Sequence, residues 1–182
     1  MFQVRIHGRG GQGVVTAAEL LSVAAFLDGA HAQAFPSFGS ERTGAPVVAF
    51  CRIDDRPIRV REPIVAPDAL IVQDPTLLHQ VDLFGGLRPG GLVLLNSTRG
   101  SDELGLGELN VIAIPAGELA RRHLGKPLPN AALLGAFAAA TEVVTLASVC
   151  AAIRERFSAK PAEGNVAAAV TAFALIGEKA HA

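Results

Sequence analysis

One local pattern constrains this chain more than any other. Residues 2–7, Phe-Gln-Val-Arg-Ile-His, alternate apolar and polar as a half-buried strand does. They run straight into Gly8-Arg9-Gly10-Gly11-Gln12-Gly13, and the chain leaves through Val14–Leu27, rich in Ala, Leu and Glu. That run ends at Asp28-Gly29, where glycine suits a helix C-terminus. Strand, tight turn and helix form the first half of a βαβ unit, which points to an α/β fold.

The rest of the chain extends this reading. Residues 30–34 are a short candidate strand and 35–46 a loop. Residues 47–53 are β-rich, Asp54-Asp55 reads as a hairpin turn, and 57–61 as the return strand, with Ile58 and Val60 alternating against Arg59 and Arg61. Short apolar runs at 69–72, 92–95 and 111–114 suit parallel strands buried on both faces. Residues 76–84 and 116–124 are expected helices. Beyond Asn130 the chain turns Ala-rich, with helices expected near 130–140, 145–157 and 165–179, broken at Thr141-Glu142 and Lys160-Pro161. No repeat or linker interrupts it. The expectation is a single domain over residues 1–182, α/β in class, with a mixed sheet, flanking helices, a β-hairpin and a helical C-terminal part.

Gly8, Gly10 and Gly13 satisfy G-x-G-x-x-G between a strand and a helix. Such a turn lets backbone N–H groups approach an anion at the positive end of the helix. A nicotinamide site would also need an acid at the end of the second strand, and Gln33-Ala34-Phe35 has none; Asp28 falls at the helix end instead. A tight turn packed against a neighbouring subunit is the plainer alternative. Gln12, with both donor and acceptor, could bridge a loop or a ligand, or simply make a cap-like bond to backbone.

Composition removes other classes. The chain has 182 residues, half of them hydrophobic and only 18% charged, which excludes disorder. A net charge of −1 gives no support to nucleic-acid binding. No apolar run reaches the ~18–20 residues of a membrane span, and the N-terminus has no secretory core, so a cytoplasmic location is expected. Cys51 and Cys150 are too few for a zinc site or a four-cysteine Fe–S cluster. Low charge beside high apolar content also suits a surface covered by partners.

Several ordered motifs together resemble the gamma subunit, or fused gamma domain, of 2-oxoacid:ferredoxin oxidoreductases of the pyruvate, 2-ketoisovalerate and phenylglyoxylate type. They are the run from Gly8 to Glu19, then Phe38-Gly39-Ser40-Glu41-Arg42-Thr43-Gly44-Ala45-Pro46-Val47 with Phe50-Cys51-Arg52-Ile53. Val72-Gln73-Asp74-Pro75-Thr76-Leu77, the run from Gly90 to Ser97, and Asn130-Ala131-Ala132-Leu133-Leu134-Gly135-Ala136 follow in order. The similarity runs from about residue 3 to residue 176. Thr43 departs from the pattern, since many relatives have Arg or Gly there.

The resemblance implies a Rossmann-like domain in a multisubunit complex. That complex would oxidatively decarboxylate a 2-oxoacid with coenzyme A to an acyl-CoA. Thiamine diphosphate and Fe–S clusters would lie on alpha, beta and delta-type partners, with ferredoxin or another acceptor served through the complex. This sequence has neither a thiamine-type run nor cluster spacing, so the isolated chain is expected to be inactive. The resemblance also implies a contact with coenzyme A through Gly8, Gly10, Gly11, Gln12, Gly13 and Arg42. A stand-alone nucleotide- or coenzyme A-binding module is the main rival.

The remaining residues divide between chemistry and structure. Arg42, Arg52, Arg56, Arg59 and Arg61 could meet phosphate or an acidic partner, or form a solvated face balanced by Asp54, Asp55 and Glu62. Glu41 could pair with Arg42. His7 beside the glycine turn is more simply a satisfied interior histidine, and His31, His79, His123 and His181 share no metal-ligand spacing. No catalytic residue and no metal site is expected. Cys51 and Cys150 read as small core residues, and Asn165 as a helix cap.

Overall fold

The computed structural model describes residues 1–37 and 43–180. Strands β1 (Phe2–Arg9), β2 (His31–Pro36), β3 (Pro46–Asp54), β4 (Ala69–Val72), β5 (Leu92–Asn96) and β6 (Asn110–Ile114) form one sheet in the order β2-β3-β1-β4-β5-β6. β1, β4, β5 and β6 pair in parallel, whereas β3 runs antiparallel to both β1 and β2. Helix α1 (Val14–Leu27) joins β1 to β2. A 3-10 helix (Pro75–His79) follows β4. Helices α2 (Ala116–Leu124), α3 (Asn130–Thr141), α4 (Leu146–Arg156) and α5 (Ala159–Ala180) complete the chain.

The strand alternation sorts two cores. Val4, Ile6, Ala69, Ile71, Leu92 and Leu94 face a large cluster to which all five helices contribute. Leu70, Val72, Val93 and Leu95 face a smaller one, closed by Leu77, Leu83 and loop residues such as Leu104. Helix α3 is buried along Asn130–Ala138, as a helix apolar on every side must be. It touches the sheet side and α5 at once. Gly135 permits that approach, because a Cβ there would lie 2.0 Å from the Ala169 carbonyl oxygen.

Five expectations are corrected. The hairpin is formed by β2 and β3, not by 47–53 with 57–61. β3 already pairs on both edges, so no edge is left for a return strand, and 57–61 is unpaired. Asp54 ends β3 and meets the N-terminal amino group at 3.4 Å instead of making a turn. The helix expected over 76–84 is only the short 3-10 helix, capped by Asp74, whose side chain accepts from Thr76 N–H. The last helix starts at Ala159 rather than 165, because Pro161 falls in its first turn, where a missing N–H costs nothing. Asn165 is therefore not a cap: it is buried inside α5 and donates to the Pro161 carbonyl at 2.9 Å.

Candidate functional site

The glycine turn lies at the C-terminal end of β1, in the middle of the sheet. There the chain passes first to the β2 side and later to the β4 side, and open α/β sheets hold their ligands at such points. Gly8 belongs to the strand; a Cβ on it would meet the Val14 methyl at 2.5 Å. The left-handed conformations fall at Gly11 (φ 90°) and Gly13 (φ 73°). Gly13 stands at the N-terminus of α1, which has no side-chain cap and no acid in its first turn. Gly10 is clamped to the exit of the neighbouring loop: its N–H donates to the Ala45 carbonyl at 2.9 Å, and Gly44 N–H donates to the Gly10 carbonyl at 3.2 Å.

A polar network ties this turn to the end of β4. Gln12 accepts from Arg9 N–H at 2.7 Å and donates to Asp74 Oδ2 at 2.9 Å. Its amide thus bonds to backbone and bridges the turn to the loop after β4. Arg9 pairs with Asp74 at 3.2 Å and donates to Thr76 Oγ1, to Gln80 Oε1 and to the Gly44 carbonyl. Burial alone would raise the Asp74 carboxyl. Bonds from Thr76 and Gln12 and the Arg9 charge outweigh it and hold the group below its ordinary value. Arg9 and Asp74 were not singled out in the sequence as site residues. The signal was present in Asp74-Pro75-Thr76, an acid before a proline at a helix start. Beside this turn, Gln73 is wholly buried and both polar atoms of its side chain lack a partner.

The other candidates separate clearly. Arg42, with residues 38–41, lies outside the described residues. Arg52 is buried and consumed by Gln3, Gln33 and the Glu62 carbonyl, with Phe35 under its guanidinium, so it is a structural residue rather than an anion contact. Arg59 and Arg61 stand exposed. His7 is an interior histidine: its ring accepts from Arg5 Nε at 3.0 Å, and burial, helped by the Arg5 charge, lowers its pKa to about 4. Cys51 is fully buried, which pushes its thiol up to about 12. Among the described residues no group of three His, Cys, Asp or Glu could hold a metal, and no helix is long and apolar enough to cross a membrane.

Dinucleotide binding does not fit this geometry. β3 lies between β1 and β2, so the end of β2 stands two strand spacings, roughly 10 Å, from the turn. The cleft against Gly10, Gly11, Gly13 and Val47 measures about 150 Å³. Sites that enclose small molecules hold roughly 300–1,000 Å³.

Residues 3–175 match the family model described as pyruvate ferredoxin/flavodoxin oxidoreductase. The chain is 48% identical over 178 residues to the pyruvate/ketoisovalerate oxidoreductases common subunit gamma of Thermococcus kodakarensis, covering 95% of this chain and 96% of that one. The crystal structure of the pyruvate oxidoreductase subunit PORC from Thermotoga maritima superposes with a TM-score of 0.83 at 31% identity, covering 95% of each chain. The fold recurs within a longer chain, the 2-oxoglutarate:ferredoxin oxidoreductase of Magnetococcus marinus. That match has a TM-score of 0.71 at 17% identity and covers 99% of this chain and 31% of that one.

Proposed function

This chain belongs to the pyruvate ferredoxin/flavodoxin oxidoreductase family, as a gamma-type subunit of a 2-oxoacid oxidoreductase complex, and we propose that its glycine turn forms part of the coenzyme A side of that complex. The complex decarboxylates a 2-oxoacid, pyruvate or ketoisovalerate by likeness to its relatives, and passes the acyl group to coenzyme A. Alpha, beta and delta-type partners carry thiamine diphosphate and the Fe–S clusters, and electrons leave to ferredoxin or a similar acceptor.

One observation carries the coenzyme A reading: the N-terminus of α1 is uncapped and free of acid, at the sheet's switch point, in a cleft too small to enclose a nucleotide. Free N–H groups there favour an anion. A shallow cleft favours a site completed by a neighbouring subunit. Gly8, Gly10, Gly11 and Gly13 shape that surface, Gln12 holds its conformation through Asp74, and Arg42 supplies the fork for phosphate. The test is kinetics on size-selected complex, varying coenzyme A and oxoacid separately. Arg42→Ala should raise the coenzyme A KM about tenfold to a hundredfold, the cost of one charge-assisted contact, and move the oxoacid KM little. An unchanged coenzyme A KM in intact complex would remove Arg42 from the site. Purification of the native protein as a lone, colourless chain would instead favour the stand-alone module.

A further inference from the structure

Residues 57–61, Pro-Ile-Arg-Val-Arg, have the sequence of a strand but pair with no sheet. Isoleucine and valine alternate with arginine, as in a strand with one apolar and one charged face. The five residues belong to no helix, strand, turn or bend, and none of them makes a backbone hydrogen bond to another described residue. Arg59, Val60 and Arg61 are exposed, Val60 at 42% and the nearby Val65 at 76%.

Both ends of the segment are fixed. At one end Asp54 finishes β3 and pairs with the amino terminus. At the other, the Glu62 carbonyl accepts from Arg52, and Ile64 is buried. The segment is therefore a mostly exposed arm tethered at both ends, and fully extended it would reach about 17 Å. Arg56 meets only Asp55, at 3.9 Å, and Arg59 and Arg61 have no ion pair among the described residues.

We infer that this arm is an assembly strand, which pairs edge to edge with a strand of a partner subunit whose facing side chains are acidic. A segment of strand-forming residues with unused N–H and C=O groups is a template for strand addition. In strand addition the main chain supplies affinity and alternate side chains supply specificity. Once the arm is paired as a strand, Arg59 and Arg61 share one face and select an acidic surface, while Ile58 and Val60 share the other and enter apolar contacts. A small-anion site is the weaker reading, because the charges of the arm alternate with apolar residues.

The inference rests on the multisubunit reading, and amide hydrogen exchange on the full chain, alone and in the reconstituted complex, tests the two separately. In the free chain the amides of 58–61 should exchange as in unstructured peptide. In the complex they should slow at least about 100-fold. Arg59→Glu with Arg61→Glu should leave the melting of the free chain unchanged and weaken its association with the partners at least about tenfold. The difference should shrink at high salt. Equal exchange in free and assembled chain, or parental association of the double variant, would overturn the arm while leaving the subunit role intact. Protection by coenzyme A alone, without partners, would overturn it in favour of an anion site. Failure of the parent chain to form any complex would remove both readings.

Discussion

Two glycines of the turn are constrained for different reasons, and the difference can be measured. Gly11 has φ 90° but open space around its missing Cβ, whereas Gly13 has φ 73° and a Cβ there would lie 2.8 Å from Asn130 Nδ2. Gly11→Ala should cost only the left-handed conformation, about 1–2 kcal/mol. Gly13→Ala adds displacement of a buried amide and should cost about 2–3 kcal/mol. Urea denaturation of the two variants gives the comparison, and equal losses would contradict the packing argument. Asp74 offers a test by pH. Its folded carboxyl titrates below its unfolded value, so its contribution is complete above the ordinary carboxylate range. That contribution fades as the pH falls through the depressed value. Asp74→Asn should therefore be less stable than the parent at pH 7 by about 1–2 kcal/mol, and the two should converge in strong acid. The glycines were legible in the sequence because only glycine enters those backbone regions freely. The Arg9–Asp74 pair was not, because its partners are far apart in sequence and meet only when β4 lies beside β1.

At the scale of elements, helix ends carry much of the information. Asp28 at the end of α1 accepts from the Thr145 N–H and hydroxyl and from the Ser148 hydroxyl, at 2.6–2.8 Å, and so ties α1 to the start of α4. Burial raises this carboxyl, but those bonds prevail and hold it below its ordinary value, so the tie also fails in acid. Glu142, at the end of α3, is the one non-glycine with a positive φ among the described residues, at 54°. Glu142→Gly should stabilise the chain by roughly 0.5–1 kcal/mol, read as a rise in denaturation midpoint. Gly135→Ala should do the reverse, because its methyl would strike the Ala169 backbone rather than a movable side chain; about 3 kcal/mol is expected. Most elements were legible from periodicity, and α1 and α2 have the expected bounds. The hairpin was misread for a physical reason: residues 57–61 have strand chemistry, but pairing depends on whether an edge is free, and that is a property of the whole sheet. The start of α5 was misread because proline breaks a helix interior but not a first turn.

For the whole molecule, the clearest expectation is dependence on partners. The purified chain should not reduce any acceptor with any 2-oxoacid and coenzyme A, and titration with NADH should show no saturable signal in the micromolar range. Turnover by the single chain would contradict the subunit role, and saturable NADH binding would reopen the dehydrogenase reading that the position of β3 excludes. That same strand order has a consequence during synthesis. β1 emerges first, yet both its neighbours, β3 and β4, come later. The opening strand–helix–strand unit cannot pair β1 with β2 directly, and must wait for residues 46–54 to satisfy one edge of β1 and for residues 69–72 to satisfy the other. Folding is thus governed by contacts of long sequence separation, which is slow, and leaves an apolar strand uncovered in the nascent chain. Ribosome-bound chains should gain protease resistance over β1 only after β4 has cleared the exit tunnel, so the earliest of the six strands stays open to aggregation while the next three are made.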